Sequence, residues 1–424
     1  MASLGNSGWS YDEVLPYFKR AEHNENFRDG FHGSDGPLNV GNLRTPNPFQ
    51  ELFFEACRQL QLPWTDDFNG ERQEGIGVYQ VTQKNGERWS AARAYIHPRL
   101  GRPNLRVVTG ARARRILFSG KRATGVEYRV GGRLETVNAR SEVLVCSGAL
   151  QSPQLLMLSG IGGAQELRRF GIEVVHDLPG VGRNLQDHID FSFIFGSRNR
   201  DLFGLTLGDL ARVVREGDRY RRERRGMMTT NFAECGGFLK TEPTLPAPDI
   251  QLHLVVGLVD NHSRTRHLGR GFSLHVCLLR PKSRGLVALA SADPDAAPMI
   301  DPKFFDHPDD IEVMVKAFKL ARRIVDAPAL ASVRTKEFYT GNIRTDDDIR
   351  RILRERCDTI YHPVGTCRMG TEDDAVVDPQ LRVRGVAGLR VIDASVIPAL
   401  VGGNTNAPTI MIGEKAADLI RRRH

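Results

Sequence analysis

Near the start of the chain Val14, Leu15, Tyr17 and Phe18 recur at helical spacing behind Ser10, predicting a helix over 10–22 with Ser10 as its N-cap. A second apolar stripe, Phe49, Leu52, Phe53, Ala56 and Leu60, predicts a helix over 47–60. The period then shortens. Apolar runs at 105–108, 116–118, 124–128 and 142–145, separated by polar turns, read as strands. The last runs into the small-residue turn Cys146-Ser147-Gly148-Ala149 and an apolar helix over 152–158, an order that directs backbone N–H groups and a positive helix end toward an anion. Farther on, strands are predicted at 250–256, 273–279 and 285–290 and helices at 207–225 and 309–325. The tail returns to strand, turn and helix: 389–393, Gly402-Gly403-Asn404, and 409–421. Antiparallel strands packed on helices would make the middle an α+β unit, while the ends have the βα order of an α/β unit.

A chain of 424 residues exceeds what one core usually fills, so two domains are expected. The net charge of +8 comes largely from arginine, with runs at Arg221, Arg222, Arg224, Arg225 and at Arg421, Arg422, Arg423. Acidic residues are interspersed in the first run and no aromatics interleave as a base-stacking platform would, so it reads as a solvated helix face and not as a nucleic-acid surface. Six scattered cysteines form no C-x-x-C pair and the histidines show no recurring metal spacing, so no metal site is expected. Reduced thiols and the lack of a basic, then apolar, leader point to a cytoplasmic protein.

Five segments carry the chemistry. Gly148-Ala149-Leu150-Gln151-Ser152-Pro153-Gln154-Leu155-Leu156-Met157-Leu158-Ser159-Gly160-Ile161-Gly162 is the most specific. With it stand Val181-Gly182-Arg183-Asn184-Leu185-Gln186-Asp187-His188, Tyr361-His362-Pro363-Val364-Gly365-Thr366-Cys367-Arg368-Met369-Gly370, Val391-Ile392-Asp393-Ala394-Ser395, and Gly403-Asn404-Thr405-Asn406-Ala407-Pro408-Thr409. In order and separation they resemble the glucose-methanol-choline (GMC) oxidoreductases from Trp9 onward, and the choline and alcohol dehydrogenases most. The resemblance implies a Rossmann-like FAD-binding domain over 1–187 and 378–424, and an antiparallel-sheet-and-helix substrate domain over 188–377. It also implies FAD-dependent oxidation of an alcohol to an aldehyde or ketone. One departure is large. No G-x-G-x-x-G occurs; Gly160 and Gly162 are followed by Gln165 where a third glycine should stand. The FAD domain is therefore expected to be incomplete at its N terminus, and the alternative reading is a non-catalytic fragment or one half of a split enzyme.

Removing a hydride from a carbinol carbon requires a base for the hydroxyl proton. The resemblance places that base at His362, although a His-Pro pair by itself reads as a turn. Asn404 is the matching partner, an amide able to donate to the substrate oxygen as charge develops, or else a turn residue ahead of a helix. The resemblance further assigns Ala113 to adenine and Ser147 and Gly148 to the adenosine diphosphate. Asp393 and Ala394 fall to the ribityl and phosphate part, and Asn406, Pro408 and Thr409 to the flavin end, with Thr409 offering its N–H. Glu234 is similar in position to a glutamate facing the cationic group of choline, or else it ends a strand and faces water. His188 reads as structural; His253, His262, His267 and His275 could line a pocket or lie on the surface. The implied partners are a small alcohol and a quinone or other electron acceptor, with peripheral contact to the inner face of a membrane as a further expectation.

Overall fold

The computed structural model describes residues 1–205 and 207–422, so Arg423 of the C-terminal arginine run lies outside the described residues. Ser10 caps a helix at Tyr11–Ala21 (α1), its N–H and hydroxyl both donating to Glu13. The second predicted helix forms at Gln50–Gln59 (α2), followed by a strand at Gly75–Val78 (β1). Strands at Arg112–Ser119 (β2), Arg122–Val130 (β3) and Arg133–Asn138 (β4) make an antiparallel sheet in chain order. β4 escaped the sequence reading because all its residues are exposed and no apolar face marks it. Residues 105–108 are not a strand. Leu105, Val107 and Val108 lie exposed, and no backbone ladder reaches them among the described residues.

Val143–Val145 (β5) leads into Gly148–Leu158 (α3), which starts earlier than expected, the turn running straight into the helix. Then come Ile189–Ser197 (β6), Leu207–Glu223 (α4), Ala233–Leu239 (β7), Ile250–Val255 (β8), Gly269–Leu278 (β9), Pro308–Asp326 (α5), Arg334–Phe338 (β10), Asp346–Arg356 (α6), Leu389–Val391 (β11) and Asn406–Arg421 (α7). On α4, Arg222 pairs with Asp218 and Arg219 with Glu223, the pattern of a solvated helix face. No helix of the described residues is long and apolar enough to cross a membrane.

The large sheet runs β10-β6-β9-β8-β7-β1, antiparallel throughout. Its register sorts side chains by period two. One face carries Phe191, Phe193, Phe195, Phe272, Leu274, Val276, Leu252 and Leu254, packed with α2 and α5 into an apolar core. Each phenylalanine buried there contributes about 1.5–3 kcal/mol. The other face carries Asp190, Ser192 and Ile194 on β6, His275 on β9, and Gln251, His253 and Val255 on β8. A buried sheet with a polar second face marks where chemistry can be placed.

A second core gathers Trp9, Leu156, Met157, Val143, Val145, Val391 and Ile412 around the parallel pair β5-β11, with α1, α3 and α7 packed about it. Two stretches of the chain cross between the cores. Phe49, Phe53 and Ile76 pack in the large-sheet core, although 1–187 was assigned to the other unit. Val364, Cys367, Met369 and Val377 pack in the second core, although they lie within 188–377. The chain crosses between cores more often than a two-cut division allows, because each core recruits apolar residues by proximity and not by sequence order.

Candidate active site

The segments around His188 and His362 lie side by side. Gln186 and Val364 exchange both backbone hydrogen bonds, at 3.0 and 2.9 Å. Gln186 then ties down the next segment, donating from Nε2 to Pro398 O (3.1 Å) and accepting at Oε1 from Leu400 N (3.1 Å). Gly365, at φ +93, must be glycine, since a Cβ would stand 2.5 Å from Asn184 O. Three chain segments are thus locked together behind one histidine.

That histidine is His362, buried at 9% exposure. Its backbone N–H donates to Asp187 Oδ1 (2.9 Å), while Thr359 donates to the other carboxylate oxygen. Burial pushes the Asp187 carboxyl up to about 6 and the His362 imidazole down to about 4. His362 Nδ1 lies 3.0 Å from His188 Nδ1, and His188 Nε2 lies 3.0 Å from Val401 O. On the other side Asn404 Nδ2 meets His362 Nε2 at 3.2 Å, and Asn404 Oδ1 accepts from Gln251 Nε2 at 3.1 Å. His362 and Asn404 open onto a cavity of about 540 Å³ whose floor is the polar face of the large sheet, with Asp190, His253 and His275 among its lining. His275 Nδ1 pairs with Asp190 Oδ2 at 2.6 Å, whereas His253 Nδ1 and Asp190 Oδ1 are buried without a partner among the described residues. His253 is pushed down to about 3, chiefly by burial, so the cavity floor is uncharged at this position near neutral pH. His262 also lines the cavity, between Tyr361 and Asp358, while His267 is held by Asp260.

A neutral, buried imidazole and an amide converging on one point of a cavity suit removal of a hydroxyl proton with stabilisation of the oxygen left behind. Models of the GMC oxidoreductases match residues 2–190 and 281–413. An alcohol dehydrogenase [acceptor] of Pseudomonas putida is 44% identical over 424 residues, covering 99% of this chain and 77% of that protein. Human mitochondrial choline dehydrogenase is 43% identical over 420 residues, covering 98% and 70%. The chain belongs to the GMC oxidoreductase family.

Among solved structures, pyridoxine 4-oxidase from Mesorbium loti superposes on this GMC oxidoreductase with a TM-score of 0.87 at 29% identity, over 99% of this chain and 79% of that one. A formate oxidase variant of Aspergillus oryzae, studied for its FAD modification, gives 0.90 at 26%, over 99% and 80%.

The GMC chain offers parts of a cofactor cradle, and not always where the sequence pointed. Asp393 is buried and accepts from Gly148 N (3.0 Å), Ser152 Oγ (2.5 Å) and Ser395 N (2.8 Å). It clamps the ends of β5 and β11 to the start of α3, and three of its roughly four acceptor sites are engaged, which leaves one at Oδ1. Ser147 N–H is likewise taken by Ser152 Oγ (3.0 Å), so neither Ser147 nor Gly148 presents a free N–H to a phosphate. The Ala394 carbonyl accepts from Gly365 N. Ala113 is exposed on β2, paired with Tyr128. The N–H of Thr409 is consumed inside α7 by Thr405 O (3.1 Å), and Pro408 has none. Asn406 and Ala407 instead stand exposed in the first turn of a 16-residue helix whose N-cap Thr405 makes no side-chain cap, and their N–H groups find no acceptor among the described residues. Two open N–H groups at a positive helix end, adjoining Asn404, fit the electron-rich edge of a flavin.

Glu234 sits apart from the cavity. β7 carries a bulge, Ala233 opposing Val255 and Cys235 opposing Leu254, with Glu234 the extra residue. Ala233 therefore takes the cavity-facing position, and the Glu234 carboxylate turns into the protein to accept from Asn47 N (2.5 Å) and Thr230 Oγ1 (2.5 Å). It neither faces water nor lines the cavity. Sequence reasoning missed the contact of His188 with His362 and the place of Gln251 behind Asn404. The alternation Ile250-Gln251-Leu252-His253-Leu254 was the available signal, since it puts Gln251 and His253 on one face.

Proposed function

We propose that this GMC oxidoreductase binds FAD and oxidises an alcohol to an aldehyde or ketone in the cavity beside His362. The observation that carries the reading is the convergence of His362 Nε2 and Asn404 Nδ2 at 3.2 Å on the cavity wall. A substrate hydroxyl entering between them donates to the imidazole lone pair and accepts from the amide. His362 takes the proton at Nε2, the amide stabilises the developing alkoxide, and the burial that keeps His362 neutral keeps it available as a base at physiological pH. FAD, when bound, would supply at flavin N5 the acceptor for the hydride of the carbinol carbon. Asn406 and Ala407 would hold the flavin edge through their N–H groups, while Asp393 would hold the turn against which the cofactor lies. Electrons would leave to a quinone or another acceptor, and the alcohol and choline dehydrogenases among the relatives support an alcohol as the substrate class.

The test is His362→Gln in the FAD-loaded chain. Alcohol turnover is expected to fall about 100-fold or more while flavin absorbance is retained; turnover within a few-fold of wild type would remove His362 as the base. A chain that purifies colourless and stays so with added FAD would favour the fragment reading instead.

A further inference from the structure

We propose that His188 is a positioning residue that fixes His362 in its Nδ1–H tautomer, leaving the Nε2 lone pair to face the cavity. The deduction starts from the carbonyl of Val401, which can only accept. His188 Nε2 stands 3.0 Å from it and must therefore carry a proton. His188 is fully buried, and its pKa, pushed down to about 3 mainly by burial and by the neighbouring His362, leaves the ring with that one proton. Its Nδ1 is then a bare lone pair. His362 Nδ1 lies 3.0 Å away, the two rings meeting edge to face with centroids 5.1 Å apart and planes at 85°. Two bare nitrogens at that distance would repel and leave both unsatisfied in a buried place, so His362 Nδ1 carries the hydrogen and donates. The single proton of a neutral His362 is thereby used up, and Nε2 is bare.

The opposite end of the network gives the same answer independently. Tyr79 Oη donates to Leu252 O and so accepts from Gln251 Nε2 (3.4 Å), which orients that amide. Asn404 Oδ1 accepts from the same NH2 at 3.1 Å, so the end of Asn404 that faces His362 is its NH2 group, which needs an acceptor. Only a bare Nε2 provides it. A free neutral imidazole in water favours the other tautomer, so the arrangement is imposed. It is imposed by adjacent residues: Asp187 holds the His362 backbone and His188 holds its ring.

The tautomer follows from the hydrogen-bond geometry with both buried rings neutral; its effect on turnover rests on the reading of His362 as the base. Long-range proton–nitrogen correlation spectra of the chain carrying nitrogen-15 in its 12 histidines, with His362→Gln used for assignment, read the tautomer directly. Near neutral pH, His362 is expected to show a protonated Nδ1 and a bare Nε2, and His188 the reverse. A protonated Nε2 on His362 in the wild type would overturn the proposal, whether or not any variant folds. His188→Phe keeps a ring and removes both hydrogen bonds; His188→Gln keeps one acceptor and one donor. In His188→Phe the His362 tautomers should mix and kcat should fall about 10- to 100-fold with KM within a few-fold, and His188→Gln should restore most of both. A His188→Phe variant that retains the Nδ1–H tautomer and wild-type kcat would overturn the role of His188. Mixed tautomers with unchanged kcat would confirm the positioning while counting against His362 as the base.

Discussion

Replacing Asp393 by asparagine separates a structural clamp from a cofactor ligand. In the wild type the carboxylate accepts from two backbone N–H groups, Gly148 at 3.0 Å and Ser395 at 2.8 Å, and from the Ser152 hydroxyl at 2.5 Å. An asparagine has one oxygen, so in either orientation one of the two N–H groups faces an NH2. A hydrogen bond to a charged acceptor is worth about 1.5–3 kcal/mol, and a buried donor left unsatisfied costs about 1–3 kcal/mol. Since the Ser152 hydroxyl can reorient to accept, the expected loss is about 2–4 kcal/mol for Asp393→Asn without added FAD. Urea unfolding followed by circular dichroism measures it. Amide exchange at Gly148 and Ser395 localises it, because one of the two should lose protection while β6, β8 and β9 keep theirs. Were Asp393 chiefly a ribityl ligand, the FAD-free protein would unfold within about 1 kcal/mol of wild type, both amides would stay protected, and only FAD affinity would drop. That result would refute the clamp.

Asn404→Ala should lower single-turnover flavin reduction about 100- to 1000-fold, the usual effect of losing one oxyanion donor; stopped-flow reduction at the wild-type rate would leave Asn404 a turn residue. Glu234→Gln should destabilise the chain by about 1 kcal/mol, because the bonds from the Asn47 N–H and from the Thr230 hydroxyl lose their charged acceptor. It should alter kcat/KM for choline and for an uncharged alcohol of similar size to the same extent, and a loss confined to choline would return Glu234 to the substrate. His253 is held neutral, with a folded pKa of about 3 against 6.5 unfolded, so it contributes stability that is present above 6.5 and lost as pH falls toward 3. His253→Gln should flatten the acid limb of the stability curve by about one proton, about 1.4 kcal/mol per pH unit; unfolding curves of unchanged slope between pH 4 and 6 would contradict that burial.

Much of the fold was legible because the elements that matter carry their own signals. The Ser10 cap, the α2 and α5 stripes and the β8 and β9 alternation are local patterns that tertiary packing reinforced. The apolar run at 105–108 failed for the converse reason: strand propensity needs a neighbouring ladder, and none reaches it among the described residues. His362 and Asn404 were readable as a pair through their motifs, and the structure brings them together. The placement of Glu234 was not readable. A bulge is a feature of two strands, and nothing in Phe232-Ala233-Glu234-Cys235 shows which residue β8 will leave unpaired. The occupancy of the Ser147, Gly148 and Thr409 N–H groups was hidden likewise, since their acceptors sit on other segments or depend on where a helix actually begins.

The contacts that shape the site join remote parts of the chain. His188 meets His362 across 174 residues, Asp187 across 175, and Gly148 meets Asp393 across 245. Such contacts form only after the loops between them close, an entropic cost that local helices and hairpins do not share. Local hairpins such as β2-β3-β4 and β8-β9 escape that cost, whereas the β5-β11 pair of the second core bears it as the site does. Both nitrogens of the His362 ring are engaged in their final roles only when the segment carrying Val401 and Asn404 docks, so competence for chemistry depends on that long-range closure and not on either core alone.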